Sequence, residues 1–265
     1  MYVIGHRGAA GLAPENTLES IEVAQKYGVD AIEIDIRATS DNRLILCHDH
    51  TLLREANTKK QIKDLRLRQI QITITNSGHP IPTLAEALEA AGDTPMVIEG
   101  KGPKWAELLA VELLKHQGPA PIVISDNQEE LFVFAQQDTG LDTYLITWTR
   151  PFEAMYLAKN LGFSGISLNF ALYSPLTYWY GRSQKLKMIM SPVNKRWLAR
   201  LLHFLYPTVA ITTDFPDRLV RKPLLTRLSE KSKDSTYTRR SQRRRSNTVR
   251  SRKSPKNSKG RQKRD

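Results

Sequence analysis

The chain has 265 residues and a formal net charge of +13, from 40 Lys and Arg against 27 Asp and Glu. The excess sits at one end: residues 221–265 hold 18 basic and three acidic side chains, while residues 1–220 hold 22 and 24. No run of about 18 apolar residues occurs, which argues against a hydrophobic spanning helix, and a single cysteine, Cys47, excludes an internal disulfide.

Residues 1–7 carry neither the basic region nor the apolar core of a secretory signal, so the expected location is the cytoplasm, either free or peripheral to the inner face of the membrane. From residue 2 to residue 213, short β-branched runs alternate with helical patterns, which predicts an α/β fold of parallel strands covered by crossover helices. In chain order the expected strands are 2–5, 31–37, 44–47, 96–99, 122–124, 143–146, 165–168, 187–190 and 209–213, about eight with one to spare. The expected helices are 15–27, closed by Gly28, and 84–91, opened by a capping box at Thr83-Leu84-Ala85-Glu86 and followed by Gly92. Four more fit 105–116, 128–137, 152–161 and 195–205. Between His48 and Pro82 the rhythm breaks. Residues 52–74, rich in Arg, Lys and Gln, read as an inserted excursion, either a lid or a solvated flap.

The residues suited to chemistry gather in the first hundred positions. Glu33 and Asp35 are two apart on one strand, so both carboxylates share a face while Ile32, Ile34 and Ile36 share the other. Glu99 and Lys101 repeat that spacing on a later strand. Three converging carboxylates suit a hard divalent cation, although a salt-bridged strand would carry the same letters. His6 and His48 stand at expected strand ends, where two imidazoles facing one bond can divide the acid and base roles. Gly5 and Gly8 allow a tight turn beside His6, and Arg7 adds a fixed cation that can grip phosphate or carboxylate.

These pieces resemble the glycerophosphodiester phosphodiesterase family, whose TIM-like barrel is shared with the phosphatidylinositol phospholipases C. The resemblance is carried, in order over residues 1–219, by His6-Arg7-Gly8 with Pro14-Glu15-Asn16-Thr17, Glu33-Ile34-Asp35, His48-Asp49, Ile81-Pro82-Thr83-Leu84, Glu99-Gly100-Lys101 and Thr213-Asp214-Phe215-Pro216-Asp217. It implies a TIM-like (β/α)8 barrel over 1–220 with a small insertion after the His48 strand. It implies His6 and His48 as acid and base, Glu33, Asp35 and Glu99 as ligands of one Mg²⁺ or Ca²⁺, Arg7 and Lys101 on the phosphate, and Glu15 as a further site residue. The implied reaction is hydrolysis of a glycerophosphodiester to glycerol 3-phosphate and an alcohol.

The second half departs from the family pattern. Ser125-Asp126-Asn127 replaces a usual Ser-Phe pair, and Ser191-Pro192-Val193-Asn194 replaces a Trp-Thr-Val-Asn string, which leaves substrate preference open. Residues 169–180 are rich in aromatics and read either as an apolar rim that favours lysophospholipids, giving a lysophospholipase D-like activity, or as packing. Beyond Glu230 the only sizeable apolar side chains are Tyr237 and Val249, and residues 221–265 predict a disordered basic tail able to sit on an anionic membrane or on nucleic acid. An inactive barrel tethered to nucleic acid is the rival reading, disfavoured by the complete set of site residues. Oligomeric state has no signature in the sequence.

Overall fold

A computed structural model describes residues 1–220, and the tail expected over 221–265 lies outside the described residues. Among the described residues nine strands form: β1 (Val3–Gly5), β2 (Ala31–Ala38), β3 (Leu44–Leu46), β4 (Met96–Gly100), β5 (Ile122–Ser125), β6 (Thr143–Thr147), β7 (Gly165–Asn169), β8 (Lys187–Ser191) and β9 (Ala210–Thr213). All but β3 pair in parallel, and the β1–β9 and β1–β2 pairings close them into an eight-stranded barrel. The α-helices among the described residues are α1 (Leu18–Tyr27), α2 (Leu53–Ala56), α3 (Leu67–Gln71), α4 (Leu84–Ala91), α5 (Ala106–Leu113), α6 (Gln128–Ala135), α7 (Pro151–Asn160), α8 (Pro175–Ser183), α9 (Arg196–Leu205) and α10 (Pro216–Leu219). The expected (β/α)8 barrel is therefore the fold.

Strand alternation explains the layers. Ile32, Ile34 and Ile36 of β2 point outward into the main core with Ile21 and Ala24 of α1 and Leu84, Ala87 and Leu88 of α4. The opposite face of the same strands fills the barrel interior, where Ile4, Ala31, Val97, Ile124, Tyr144, Ile146 and Ile189 form an apolar floor. Glu33, Asp35 and Glu99 stand above that floor, toward the carboxyl ends of the strands, where barrels of this kind build their sites.

The spare strand corrects one expectation. His48 does not follow a barrel strand: β2 runs on to Ala38, the chain turns through residues 39–43, and β3 returns antiparallel with Ile36 opposite Leu46. Because β1 is only three residues long and pairs with Ala31 and Ile32, the upper part of the same β2 edge is left for β3. The hairpin folds His48 back toward the barrel mouth, and Cys47 N–H donates to the Asp35 carbonyl at 3.1 Å.

The segment after His48 is a folded insertion. It holds α2, a 3-10 turn at Ile62–Asp64 and α3, over a small core of Leu52, Ile62, Leu65 and Ile70 that packs on Ile45 and Ile81. The aromatic stretch 169–180 contains an unexpected helix, α8. Ser174 caps it by accepting from Thr177 N–H at 3.1 Å, and Pro175 opens it. Most of its aromatics serve packing: Tyr173 and Tyr178 both lie against Tyr206, at 5.6 and 5.2 Å between ring centroids.

Ile34 is fully buried on the outer face of β2, whereas Ile74 is 89% exposed. Urea unfolding should show Ile34→Ala destabilised by roughly 2–5 kcal/mol and Ile74→Ala within about 0.5 kcal/mol of the wild type; equal effects would contradict the assigned facing of β2.

Candidate active site

The site begins where β1 ends. His6 N–H continues the β1–β9 ladder by donating to the Thr213 carbonyl at 2.9 Å. Arg7 then adopts a left-handed backbone (φ 50°), unusual for a side-chain-bearing residue and a common mark of functional turns. Three contacts hold it there: its N–H donates to Glu33 Oε2 at 2.7 Å, and its carbonyl accepts from Asn16 N–H at 3.1 Å and Ser20 Oγ at 2.9 Å. Gly8, at φ 83°, has no room for a side chain, since a Cβ would lie 2.3 Å from Ser20 Oγ.

Helix α1 starts later than its sequence pattern suggests. Thr17 is the N-cap, its side chain accepting from Ser20 N–H, so Glu15 and Asn16 stay outside the helix and enter the site. Asn16 also has a left-handed backbone (φ 54°) and clamps Asp35 twice, donating from Nδ2 to Oδ2 at 2.9 Å and accepting the Asp35 N–H on Oδ1 at 3.0 Å.

Asp35 and Glu99 are register partners on adjacent parallel strands, with Glu33 one inward step below on β2. One oxygen from each carboxylate lies within 4.8 Å of the others, and all three residues are buried. Arg7 Nε approaches Asp35 Oδ2 at 3.2 Å, and Lys101 Nζ lies 3.6 Å from Asp35 Oδ1 while pairing directly with Glu99 Oε1. Two cations against three carboxylates leave one negative charge uncompensated. Burial, together with the charge of Asp35, accordingly pushes Glu33 up to about 7 and Glu99 up to about 8. Burial also opposes ionisation of Asp35, but Lys101 and Arg7 outweigh it and hold this carboxyl below its usual range.

The cluster fits a divalent cation. Glu33 Oε1 and Asp35 Oδ1 are buried with no hydrogen-bond partner, and such oxygens are costly unless something positive meets them. An all-oxygen donor set with one excess negative charge is the chemistry Mg²⁺ and Ca²⁺ select. Cys47 contributes nothing here, since it is buried in the apolar core of the insertion and burial pushes its thiol pKa up.

Both histidines reach one cavity at the barrel mouth, which Arg7, Glu33, Glu99 and Lys101 also line. Each has an aspartate on Nδ1: Asp214 Oδ1 lies 2.6 Å from His6, and Asp49 Oδ1 lies 2.7 Å from His48. An ionised carboxylate only accepts, so Nδ1 carries the proton and Nε2 is left for chemistry. Burial alone would lower the His6 pKa, but the Asp214 hydrogen bond and the Glu33 charge outweigh it, and the net shift is upward. Burial dominates at His48, and its pKa lies below the ordinary value despite Asp35 and Asp49.

Several participants carry no obvious sequence signal. Asn194, in the string that departs from the family pattern, donates from Nδ2 to Asp214 Oδ2 at 2.5 Å and accepts the Asp214 N–H at 2.9 Å, fixing the carboxylate that holds His6. Arg37 donates to the His48 carbonyl from Nε at 2.9 Å and from Nη2 at 2.7 Å. Arg54, from the insertion, bridges Glu15 at 2.8 Å and Asp49 at 2.9 Å. Since Glu15 also pairs with Arg7 at 2.8 Å, the ion pairs run from Asp35 through Arg7, Glu15, Arg54 and Asp49 to His48. Glu15 is thus brought into the site as a link between two arginines. Arg7 and Lys101, expected on the phosphate, line the cavity while also neutralising the acid cluster. Trp148, after β6, is 54% exposed and forms one wall of the mouth, so the aromatic wall comes from there rather than from residues 169–180.

Residues 6–118 match the model of the glycerophosphoryl diester phosphodiesterase family, a span that contains every expected site residue from His6 to Lys101. A glycerophosphodiester phosphodiesterase of Bacillus subtilis is 33% identical, with 52% of this chain and 56% of that protein covered. Glycerophosphodiester phosphodiesterase 1 of Bos taurus is 29% identical, with 74% and 68% covered. The chain spans between 32% and 56% of the length of the bacterial relatives it matches. Among solved structures, a phosphodiesterase of Oleispira antarctica in complex with the product sn-glycerol-3-phosphate has a TM-score of 0.77 at 22% identity, covering 83% of this chain and 95% of that one. The ordered motifs, the closed barrel and these matches agree: residues 6–118 match the glycerophosphoryl diester phosphodiesterase family, and the described barrel has the fold of the solved phosphodiesterase.

Proposed function

We propose that the barrel, residues 1–220, is a catalytic domain that hydrolyses glycerophosphodiesters to glycerol 3-phosphate and an alcohol. The observation that carries this reading is the pairing of two aspartate-held imidazoles with a buried three-carboxylate cluster at one cavity. Glu33, Asp35 and Glu99 would hold one divalent cation, Mg²⁺ or Ca²⁺. Such an ion, when bound, supplies Lewis-acid polarisation of a phosphoryl oxygen.

The chain's own residues account for the remaining demands of the reaction. Arg7 and Lys101 present fixed positive charge to the phosphate and offset the negative charge that grows as phosphorus is attacked. One imidazole takes the proton of the attacking oxygen at Nε2, and the other delivers a proton to the oxygen of the departing alcohol as its bond to phosphorus breaks. Asp214 and Asp49 fix the tautomers and stabilise the imidazolium form. The rival reading, a barrel that has lost activity, has nothing in its favour, because both imidazoles and all three carboxylates stand in one constellation.

Glycerol 3-phosphate release from glycerophosphocholine, followed with and without chelator, tests the reaction and the cation together. Activity should vanish with chelator and return on adding Mg²⁺ or Ca²⁺; chelator-resistant turnover would remove the cation from the account. His6→Ala and His48→Ala should each lower kcat by about 10²–10⁴-fold, and wild-type turnover in His48→Ala would contradict its role. Glu99→Gln should raise the cation concentration needed for half-maximal activity, with a smaller effect on KM for the diester.

A further inference from the structure

Helix α9 exposes a longer apolar stripe than α1 on the same barrel. Helix α1 is ordinary: Ile21 and Ala24 face the core, and Glu19, Glu22 and Lys26 face water. In α9, Ala199 and Leu202 face the core, but the outer face is also apolar. Trp197 is 64% exposed, Leu201 46% and Phe204 81%, at i, i+4 and i+7 on one stripe. The preceding helix, α8, adds Trp179 at 67% exposed. The two helices follow neighbouring strands β7 and β8, and Tyr178 of α8 meets Tyr206 just after α9.

The charge along this stretch of the chain has one sign, the acids on the helices packed against it being Glu153 on α7 and Asp217 on α10. Between Glu153 and Asp214 the sequence has no acidic residue and seven Lys or Arg, although residues 1–220 as a whole carry slightly more acids than bases. Arg182, Lys185, Lys195, Arg196 and Arg200 are exposed, and none of them forms an ion pair among the described residues. Large aromatic and aliphatic side chains on two helices whose own charged groups are all basic form a face complementary to a surface that is apolar within and negatively charged outside. A second copy of the chain would bring the same positive charge to the same face.

We propose that the α8–α9 flank is a docking surface for membranes rich in anionic phospholipid, with Trp197, Leu201 and Phe204 entering the interface and Arg196 and Arg200 meeting lipid phosphates. Stable peripheral attachment commonly needs two signals, and residues 221–265, with 18 basic and three acidic side chains, supply a second one in the same chain. The active site is not involved, so the inference stands or falls independently of the proposed reaction.

The test is co-sedimentation of the full chain with vesicles of phosphatidylcholine alone or mixed with phosphatidylglycerol. The wild type should bind the mixed vesicles much more strongly than the neutral ones. Leu201→Ser/Phe204→Ser should weaken binding to mixed vesicles by about tenfold or more, because two apolar side chains no longer enter the interface. Arg196→Glu/Arg200→Glu, which leaves the apolar stripe intact, should lose the preference for phosphatidylglycerol. Undiminished binding by both variants would assign any attachment to residues 221–265 alone and overturn the proposal. So would size-exclusion chromatography without lipid showing a wild-type dimer that Leu201→Ser/Phe204→Ser abolishes, since a second copy would then cover the flank.

Discussion

Three carboxylates buried side by side in a barrel wall repel one another and have lost their water, and much of this structure is arranged around that fact. Asp35 and Glu99 are opposite each other across β2 and β4, with Glu33 on the next inward step. An uncompensated buried charge costs several kcal/mol even after relaxation, so the fold must bring positive charge and donors to it. Arg7 arrives through a left-handed turn, Lys101 extends from β4 two residues after Glu99, and Asn16 is withheld from α1 to clamp Asp35. What these groups leave uncompensated is what a divalent cation supplies, and it is why Glu33 and Glu99 tend to keep protons without one.

The same constraint explains why the insertion belongs to the site. Arg54 ties Glu15, the partner of Arg7, to Asp49, the partner of His48. Neither a lid nor a solvated flap describes a segment with its own apolar core and a buttress of the ion-pair chain. The β3 hairpin completes the arrangement: His48 sits near the mouth because a short β1 leaves the upper edge of β2 unpaired and β3 fills it. The two imidazoles therefore reach one cavity by different routes, His6 from a barrel strand and His48 from a returning one.

The barrel was legible in the alternation of β-branched runs and helical patterns because period-2 and period-3.6 hydrophobicity report directly on which faces are buried. The carboxylates were legible for the same reason, since Glu33 and Asp35 break an apolar strand on its inward face only. Long-range partners were not. Nothing in the letters around Asn194 or Arg54 says that one fixes Asp214 and the other bridges Glu15 and Asp49, because those contacts exist only once strands far apart in sequence are closed into a barrel. The antiparallel sense of β3 was hidden because a three-residue apolar run reads the same in either direction. Helix α8 was obscured by its aromatics, although Ser174-Pro175 is a serviceable start signal. The charge of residues 1–220 summed close to neutral and so hid a stretch without acids between Glu153 and Asp214.

Thermal unfolding of the full chain, with chelator and then with rising Mg²⁺ or Ca²⁺, tests the central electrostatic claim without reference to turnover. A cation that binds only the folded cluster should raise Tm progressively, by an amount corresponding to about 2.7 kcal/mol once the free ion reaches a hundred times its Kd. In Glu33→Gln/Glu99→Gln, which removes two of the three charges, that dependence should disappear while the chelated protein becomes no less stable than the chelated wild type. A wild-type Tm indifferent to both ions, or one raised equally in the double variant, would contradict the assignment of Glu33, Asp35 and Glu99 as the cation site.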